Sequence, residues 1–133
     1  MSDDHFAFLT PEWAEALEAA ANASDAFVDA VQGVELIIEQ EVAVDGLAPV
    51  RYALAFAGGR LRVHWGGVAD PDVVFAQSRD TAERINRGEL NAQQAFVLGK
   101  LRVSGDLERL LAAREAFSRL EGAFAVIRAH TTY

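Results

Sequence analysis

Residues able to perform chemistry are few in this sequence, and their spacing matches no common catalytic or metal-binding motif. The three histidines, His5, His64 and His130, are scattered, and no two have the spacing of metal ligands. The chain holds no cysteine, so it has no thiol nucleophile, no thiolate metal site and no disulfide. We therefore predict no catalytic residues, no metal ion and no cofactor.

The nearest approach to paired catalytic carboxylates is a group of glutamates in one predicted strand. Glu35, Glu39 and Glu41 recur at odd positions and so share a strand face. Arg60 and Arg62 follow on a later strand, and opposite charges on one face of a sheet pair across strands. We interpret the glutamates as charge partners of these arginines rather than as acid–base catalysts.

Length and charge limit the class of protein. The chain of 133 residues has the length of one domain, and we predict a single domain over residues 1–133. Its formal charge of −8 opposes binding to nucleic acid, which needs a concentrated basic surface. No apolar run reaches the roughly 20 residues that cross a bilayer, and the first residues carry no secretory signal. We expect a cytoplasmic protein without stable membrane insertion.

The elements that would carry these residues begin with a helix and continue with strands. Thr10-Pro11 is typical of a helix start, and Trp13 and Leu17 begin the apolar stripe of that helix. After Gly33 the apolar residues alternate, which predicts strands.

A Gly-Gly pair predicts a tight hairpin. Gly58 and Gly59 separate strands at 51–57 and 60–65, and a two-residue connection fixes the register. With Ala57 opposite Arg60, apolar residues collect on one face of the hairpin. The pairs on that face are Phe56/Leu61, Leu54/Val63 and Tyr52/Trp65.

The second half of the chain adds two strands and several helices. The strands are predicted at 71–77 and 100–104, with two short helices between them, the first of which Ser78 caps. Asp106 then caps the longest helix, which Gly122 is expected to end. Strands in one block with helices collected around them predict an α+β fold.

The many apolar side chains allow two interpretations. They fill a core, or they line a cavity for an apolar ligand, and periodicity does not separate these cases. The residues predicted to line such a cavity are Leu54, Phe56, Val63, Trp65, Phe75, Phe96, Leu107, Leu111, Phe117 and Phe124.

Residues 88–106 closely resemble the signature of sterol carrier protein 2-like domains. That signature has a short helix of the form Asn/Asp-Pro-x-x-Ala-Phe/Tyr, then Gly-Lys-Leu, a strand and Gly-Asp/Asn. Ala92 stands where many members carry proline, but alanine is a good helix former, so the local structure should persist. Gly99 and Gly105 match the two glycines of the signature, and the resemblance extends over about residues 10–125.

The resemblance implies a fold and a ligand class. It implies a mixed, mainly antiparallel sheet of about five strands, with helices packed over one face and an apolar tunnel between the layers. It also implies binding of a sterol, a fatty acid or a fatty acyl-CoA. Phe96 matches an aromatic residue that points toward the tunnel. Lys100 matches the family lysine, which is either a surface charge or a contact for an acidic head group.

Three hypotheses for function follow. The leading one is a non-catalytic lipid carrier. The alternative is an interaction module with a closed tunnel, which forms a homodimer or partners an enzyme. An isomerase-like proton transfer would need a buried acid or base, and Asp80, Glu83 and His64 are not placed for that role.

Overall fold

A mixed sheet of five strands forms the centre of the fold. The structure, a computed structural model, describes residues 6–133 apart from the side chain of Phe117. The strands of this sheet are β2 (Leu36–Ala43), β3 (Val50–Ala57), β4 (Arg60–Trp65), β5 (Val73–Ser78) and β6 (Leu101–Gly105). They lie in the order β4-β3-β2-β5-β6, with β2 and β5 parallel and the other neighbours antiparallel. The predicted α+β fold with a mixed, mainly antiparallel sheet is confirmed.

Six helices and a second, two-stranded sheet complete the fold of residues 6–133. The helices are α1 (Pro11–Asn22), α2 (Asp25–Ala30), α3 (Arg79–Asn86), α4 (Ala92–Val97), α5 (Leu107–Ala112) and α6 (Arg114–Arg128). β1 (Phe6–Ala7) and β7 (Thr131–Thr132) pair in parallel. None of these helices is long and apolar enough to cross a membrane.

Helices pack against the apolar face of the five-stranded sheet. Leu36, Ile38 and Val42 alternate along β2, and all three are buried in the core. Trp13 and Leu17 of α1 are fully buried in the same cluster. α1 contacts β4 and α6, while α3 contacts β2 and β5, so the helical layer extends over the width of the sheet.

The structure confirms the predicted hairpin register. Ala57 is the partner of Arg60, and all three predicted apolar pairs face each other. Gly58 and Gly59 have φ values of 61° and 73°, which a primed turn requires and glycine adopts at little cost.

Side-chain caps begin the helices α1, α3 and α4, and those of α1 and α3 are at the predicted residues. Thr10 Oγ1 accepts a hydrogen bond from the Trp13 N–H at 3.3 Å, which starts α1. Ser78 caps α3 in the same way, and Asn91 and Gln94 form a reciprocal capping box on α4. Each cap satisfies a backbone N–H that the first helical turn leaves without a partner.

Two side chains of α1 bond to the backbone of β4, the outermost strand on that side of the sheet. The Asn22 amide donates to the Leu61 carbonyl and accepts from the Leu61 N–H, both at 2.9 Å. Glu18 Oε1 accepts from the Val63 N–H at 2.7 Å. These bonds hold α1 in register with the strand beneath it.

The prediction of one long helix from Asp106 to Gly122 is wrong. Asp106 caps only the short α5, and the chain departs from α-helical geometry at Ala113 before α6 begins. Gly122 lies inside α6, with no neighbouring atom within 4 Å of an added Cβ. Burial of one apolar stripe outweighs the cost of about 1 kcal/mol for a glycine in a helix. The buried residues of that stripe are Ala116, Leu120, Ala123 and Ile127.

The predicted pairing of the glutamates with Arg60 and Arg62 is also wrong. β3 lies between β4 and β2, so those arginines are two strands away from the glutamates. Glu41 instead forms an ion pair with Arg51, its direct partner on β3, at 3.5 Å. Glu39 accepts a hydrogen bond from the Val68 N–H at 3.1 Å and is buried.

Candidate ligand-binding cavity

A cavity of about 670 Å³ lies between the sheet and the helices α3, α4 and α6. Its volume is within the range of about 300–1,000 Å³ that is typical of small-molecule sites. Its wall is mainly apolar, with contributions from β2, β3, β5 and β6 on the sheet side. The larger apolar residues of the wall are Phe8, Tyr52, Leu54, Phe75, Ile85, Leu90, Leu101, Leu120 and Phe124.

Regular secondary structure places these apolar side chains on one surface. Tyr52 and Leu54 are two residues apart on β3 and therefore face the same side of the sheet. Leu120 and Phe124 are four residues apart on α6 and therefore lie on one helical face. Phe75 is opposite Gln40 in the parallel β2–β5 register, so β5 extends the same wall.

Two glutamines interrupt the apolar wall on the sheet side. Gln40 of β2 and Gln77 of β5 both line the cavity, and the Gln77 Nε2 donates to the Gln40 Oε1 at 2.7 Å. Gln40 is only 8% exposed. A buried glutamine on a core face, paired with a half-buried one, is unusual and indicates a local requirement for hydrogen bonding.

The helical side of the wall carries charged and polar groups. Arg114, Ser118 and Glu121 follow one face of α6 along the cavity. Glu121 forms an ion pair with Arg128 at 2.9 Å. Within residues 6–133 no ion pair involves Arg114, so its guanidinium is available to a ligand.

Tyr52 is a neutral part of the wall. Burial raises the pKa of its phenol well above the ordinary value of about 10. Its ring packs edge-on against Trp13, with centroids 5.5 Å apart, and stacks on Trp65 at 6.2 Å. These contacts fix the ring beside the cavity.

Three of the residues predicted to line a cavity do line this one. They are Leu54, Phe75 and Phe124. Phe56 lies deeper in the core, where its ring centroid is 6.1 Å from that of Phe27. The side chain of Phe117 is outside the described residues.

The other predicted lining residues lie away from the cavity. Val63 and Trp65 belong to β4, which contributes no residue to the cavity wall. Phe96 is 55% exposed because α4 turns its neighbour Ala95 into the core, so the expectation that Phe96 points inward is corrected. Leu107 and Leu111 are exposed because α5 is a separate helix and does not continue the buried stripe of α6.

Lys100 lies outside the cavity as well. It is exposed and borders a separate groove together with Glu41 and Arg102. Glu41 follows Gln40 in β2, and Arg102 follows Leu101 in β6. Because successive residues of a strand point to opposite faces, Glu41 and Arg102 lie on the face of the sheet away from the cavity. A contact between Lys100 and an acidic head group therefore stays a prediction without support from the cavity geometry.

The described histidines, His64 and His130, do not form a metal or catalytic site. His64 and His130 are exposed, and His5 lies outside the described residues. Within residues 6–133 no group of three or more His, Cys, Asp or Glu side chains is arranged to hold a metal ion.

Comparison with known proteins gives one family and several similar folds. The model of the SCP-2 sterol transfer family matches residues 14–118. No curated protein matches the chain.

Similar solved structures include a conserved hypothetical protein from Thermus thermophilus whose description suggests a sterol carrier protein. That protein is 23% identical, with a TM-score of 0.77 over 94% of this chain and 91% of its own. A crystal structure of sterol carrier protein 2 is also 23% identical, with a TM-score of 0.72 over 91% and 97%. Palmitated SCP2L2 from Aedes aegypti is 24% identical, with a TM-score of 0.57 over 79% and 92%. These structures share the fold of this chain.

Proposed function

Because the chain belongs to the SCP-2 sterol transfer family, we propose that it holds a single lipid in the cavity beside the sheet and performs no chemistry on it. The observation that carries the proposal is the mainly apolar cavity of about 670 Å³. Palmitated SCP2L2, a protein of similar fold, is a precedent for an acyl chain as the ligand.

The driving force would be burial of the hydrocarbon part of the ligand. Each methylene group removed from water contributes about 0.8 kcal/mol. Rings and alkyl chains would both gain from contact with Leu54, Phe75 and Phe124. Affinity should therefore increase with chain length until the cavity is filled.

The proposal is tested by native mass spectrometry of the purified protein, followed by organic extraction and uptake of a fluorescent fatty acid. The expected result is a co-purifying lipid, or saturable uptake with one ligand per chain. A protein that carries no lipid and takes up no probe would refute the proposal.

A matched pair of variants locates the ligand. Phe124→Asp places a carboxylate in the cavity wall and should abolish uptake, because burying a charge against hydrocarbon is costly. Phe96→Asp makes the same change on the exposed side of α4 and should leave uptake unchanged. Equal loss in both variants would show that the ligand lies elsewhere.

A second candidate function is self-association as an interaction module. Phe96, Val97 and Leu98 are consecutive, apolar and exposed at the end of α4. Exposed apolar patches often mark interfaces. Sedimentation velocity over a wide concentration range would show a dimer that Val97→Lys dissociates and that Val126→Lys, at an exposed position of α6, leaves intact. A monomer at every concentration would refute it.

A further inference from the structure

The glutamine pair in the cavity wall has unused hydrogen-bonding capacity. An amide offers two N–H donors and a carbonyl oxygen with two lone pairs. One bond between two amides leaves N–H donors on one residue and a carbonyl oxygen on the other, whichever way the amides are turned. Across residues 6–133, the bond between Gln77 and Gln40 is the one side-chain hydrogen bond that either residue makes.

The position of the pair in the cavity wall makes its unpaired N–H donors and carbonyl oxygen accessible to a ligand. Gln40 is 8% exposed and both residues line the cavity, so the unpaired amide groups reach water through the cavity and not over the outer surface. The wall around the pair is formed by apolar side chains such as Leu54 and Phe75. A ligand that fills the cavity removes water from these amide groups, so a ligand that supplies replacement hydrogen bonds binds more tightly than one that does not.

We propose that Gln40 and Gln77 form the polar subsite of the cavity and select a lipid that carries a hydroxyl group. A hydroxyl oxygen accepts from the free amide N–H, while its own hydrogen is donated to the free carbonyl. An alkane does neither, and a carboxylate only accepts. This inference rests on the proposed function, since it assumes that a lipid occupies the cavity.

Arg114 could instead make the cavity select a lipid with a carboxylate head group. Its guanidinium lies on the same cavity wall and would pair with a carboxylate. Arg114 is exposed, however, so water competes for its donors, whereas Gln40 is buried. The glutamine pair, less accessible to water than Arg114, is therefore expected to discriminate more strongly between head groups.

The test is a competition among a saturated fatty alcohol, the alkane and the fatty acid of equal chain length. The protein is incubated with all three in equal amounts, freed of unbound lipid and extracted, and the bound lipids are quantified by gas chromatography. The ratio of bound alcohol to bound alkane is the readout, compared between wild type and Gln40→Leu/Gln77→Leu.

The double variant should lower the alcohol-to-alkane ratio about tenfold, since each net hydrogen bond changes an equilibrium by roughly three- to tenfold. Replacing both residues leaves neither amide without a partner, which protects the fold. If the leucine pair does not fold, Gln40→Met/Gln77→Met gives the same test with unbranched side chains. Gln32→Leu, an exposed glutamine outside the cavity, is the matched control and should leave the ratio unchanged.

Other outcomes separate this inference from the proposed function. An unchanged ratio with normal lipid loading refutes the glutamine subsite and leaves lipid binding intact. A preference for the fatty acid that Arg114→Gln abolishes refutes it in favour of carboxylate recognition. Wild-type protein that binds none of the three lipids refutes lipid binding itself.

Discussion

Replacement of Gly105 by alanine is expected to destabilise the protein far more than the same change at Gly99. Gly105 has a φ of +111°, and an added Cβ would overlap the Asp72 carbonyl oxygen and lie 2.9 Å from the Val73 Cα. Both obstacles are backbone atoms, so no side chain can move aside. Gly99 has a φ of +75° with no atom within 4 Å of an added Cβ.

The magnitudes follow from these geometries. At Gly105 the backbone strain of about 1–3 kcal/mol adds to overpacking of about 1–3 kcal/mol, which gives a loss of about 4 kcal/mol. β5 and β6 would have to separate there, which would strain the hydrogen bond from the Asp106 N–H to the Asp72 carbonyl at 2.9 Å. At Gly99 the left-handed conformation costs about 1–2 kcal/mol, and the lower entropy of the unfolded chain offsets part of this, for a net loss of about 1 kcal/mol.

Urea unfolding followed by tryptophan fluorescence measures both losses, since Trp13 is fully buried in the folded protein. In a thermal melt followed by the same fluorescence, at about 4 °C per kcal/mol, the melting temperature should fall by about 15 °C for Gly105→Ala and about 4 °C for Gly99→Ala. Equal losses in the two variants would show that the contact between β5 and β6 is not the reason for glycine at position 105.

Two further predictions concern stability. Gly122→Ala should raise the free energy of unfolding by about 1 kcal/mol, because Gly122 lies in open space within α6; a lower urea midpoint would show that the helix ends there. Stability should also decrease as the pH rises above about 10, because unfolded tyrosine ionises at its ordinary pKa while burial raises the pKa of Tyr52 and of Tyr133 in the folded state. Tyr52→Phe should weaken that dependence of the urea midpoint on pH, and an unchanged dependence would contradict the role of Tyr52.

The elements set by local chemistry were predictable from the sequence. The two-residue Gly58-Gly59 turn fixes the register of the hairpin, and in that register the large apolar residues of the two strands pair with each other on one face. The caps at Thr10, Ser78 and Asn91 need only residues within one helical turn. Such features depend little on the rest of the chain.

Features that depend on long-range packing were not predictable. α6 continues through Gly122 because its stripe packs against α1 and α2, which no local pattern reveals. Phe96 lies outside the cavity because α4 is oriented by the burial of Ala95. The glutamine subsite had a signal, since Gln40 occupies a core-face position between Ile38 and Val42, but its partner on β5 is defined only by the parallel pairing of the strands.

The bonds from Asn22 and Glu18 to β4 have a consequence for how copies of this protein can meet. An outer strand with free backbone groups invites a strand from another molecule, which leads to aggregation or to sheet extension between subunits. Here α1 already occupies the Leu61 N–H, the Leu61 carbonyl and the Val63 N–H, which would otherwise receive such a strand. A continuous sheet across two molecules would have to form at β6, the opposite border of the sheet, because joining at β4 would first require α1 to detach.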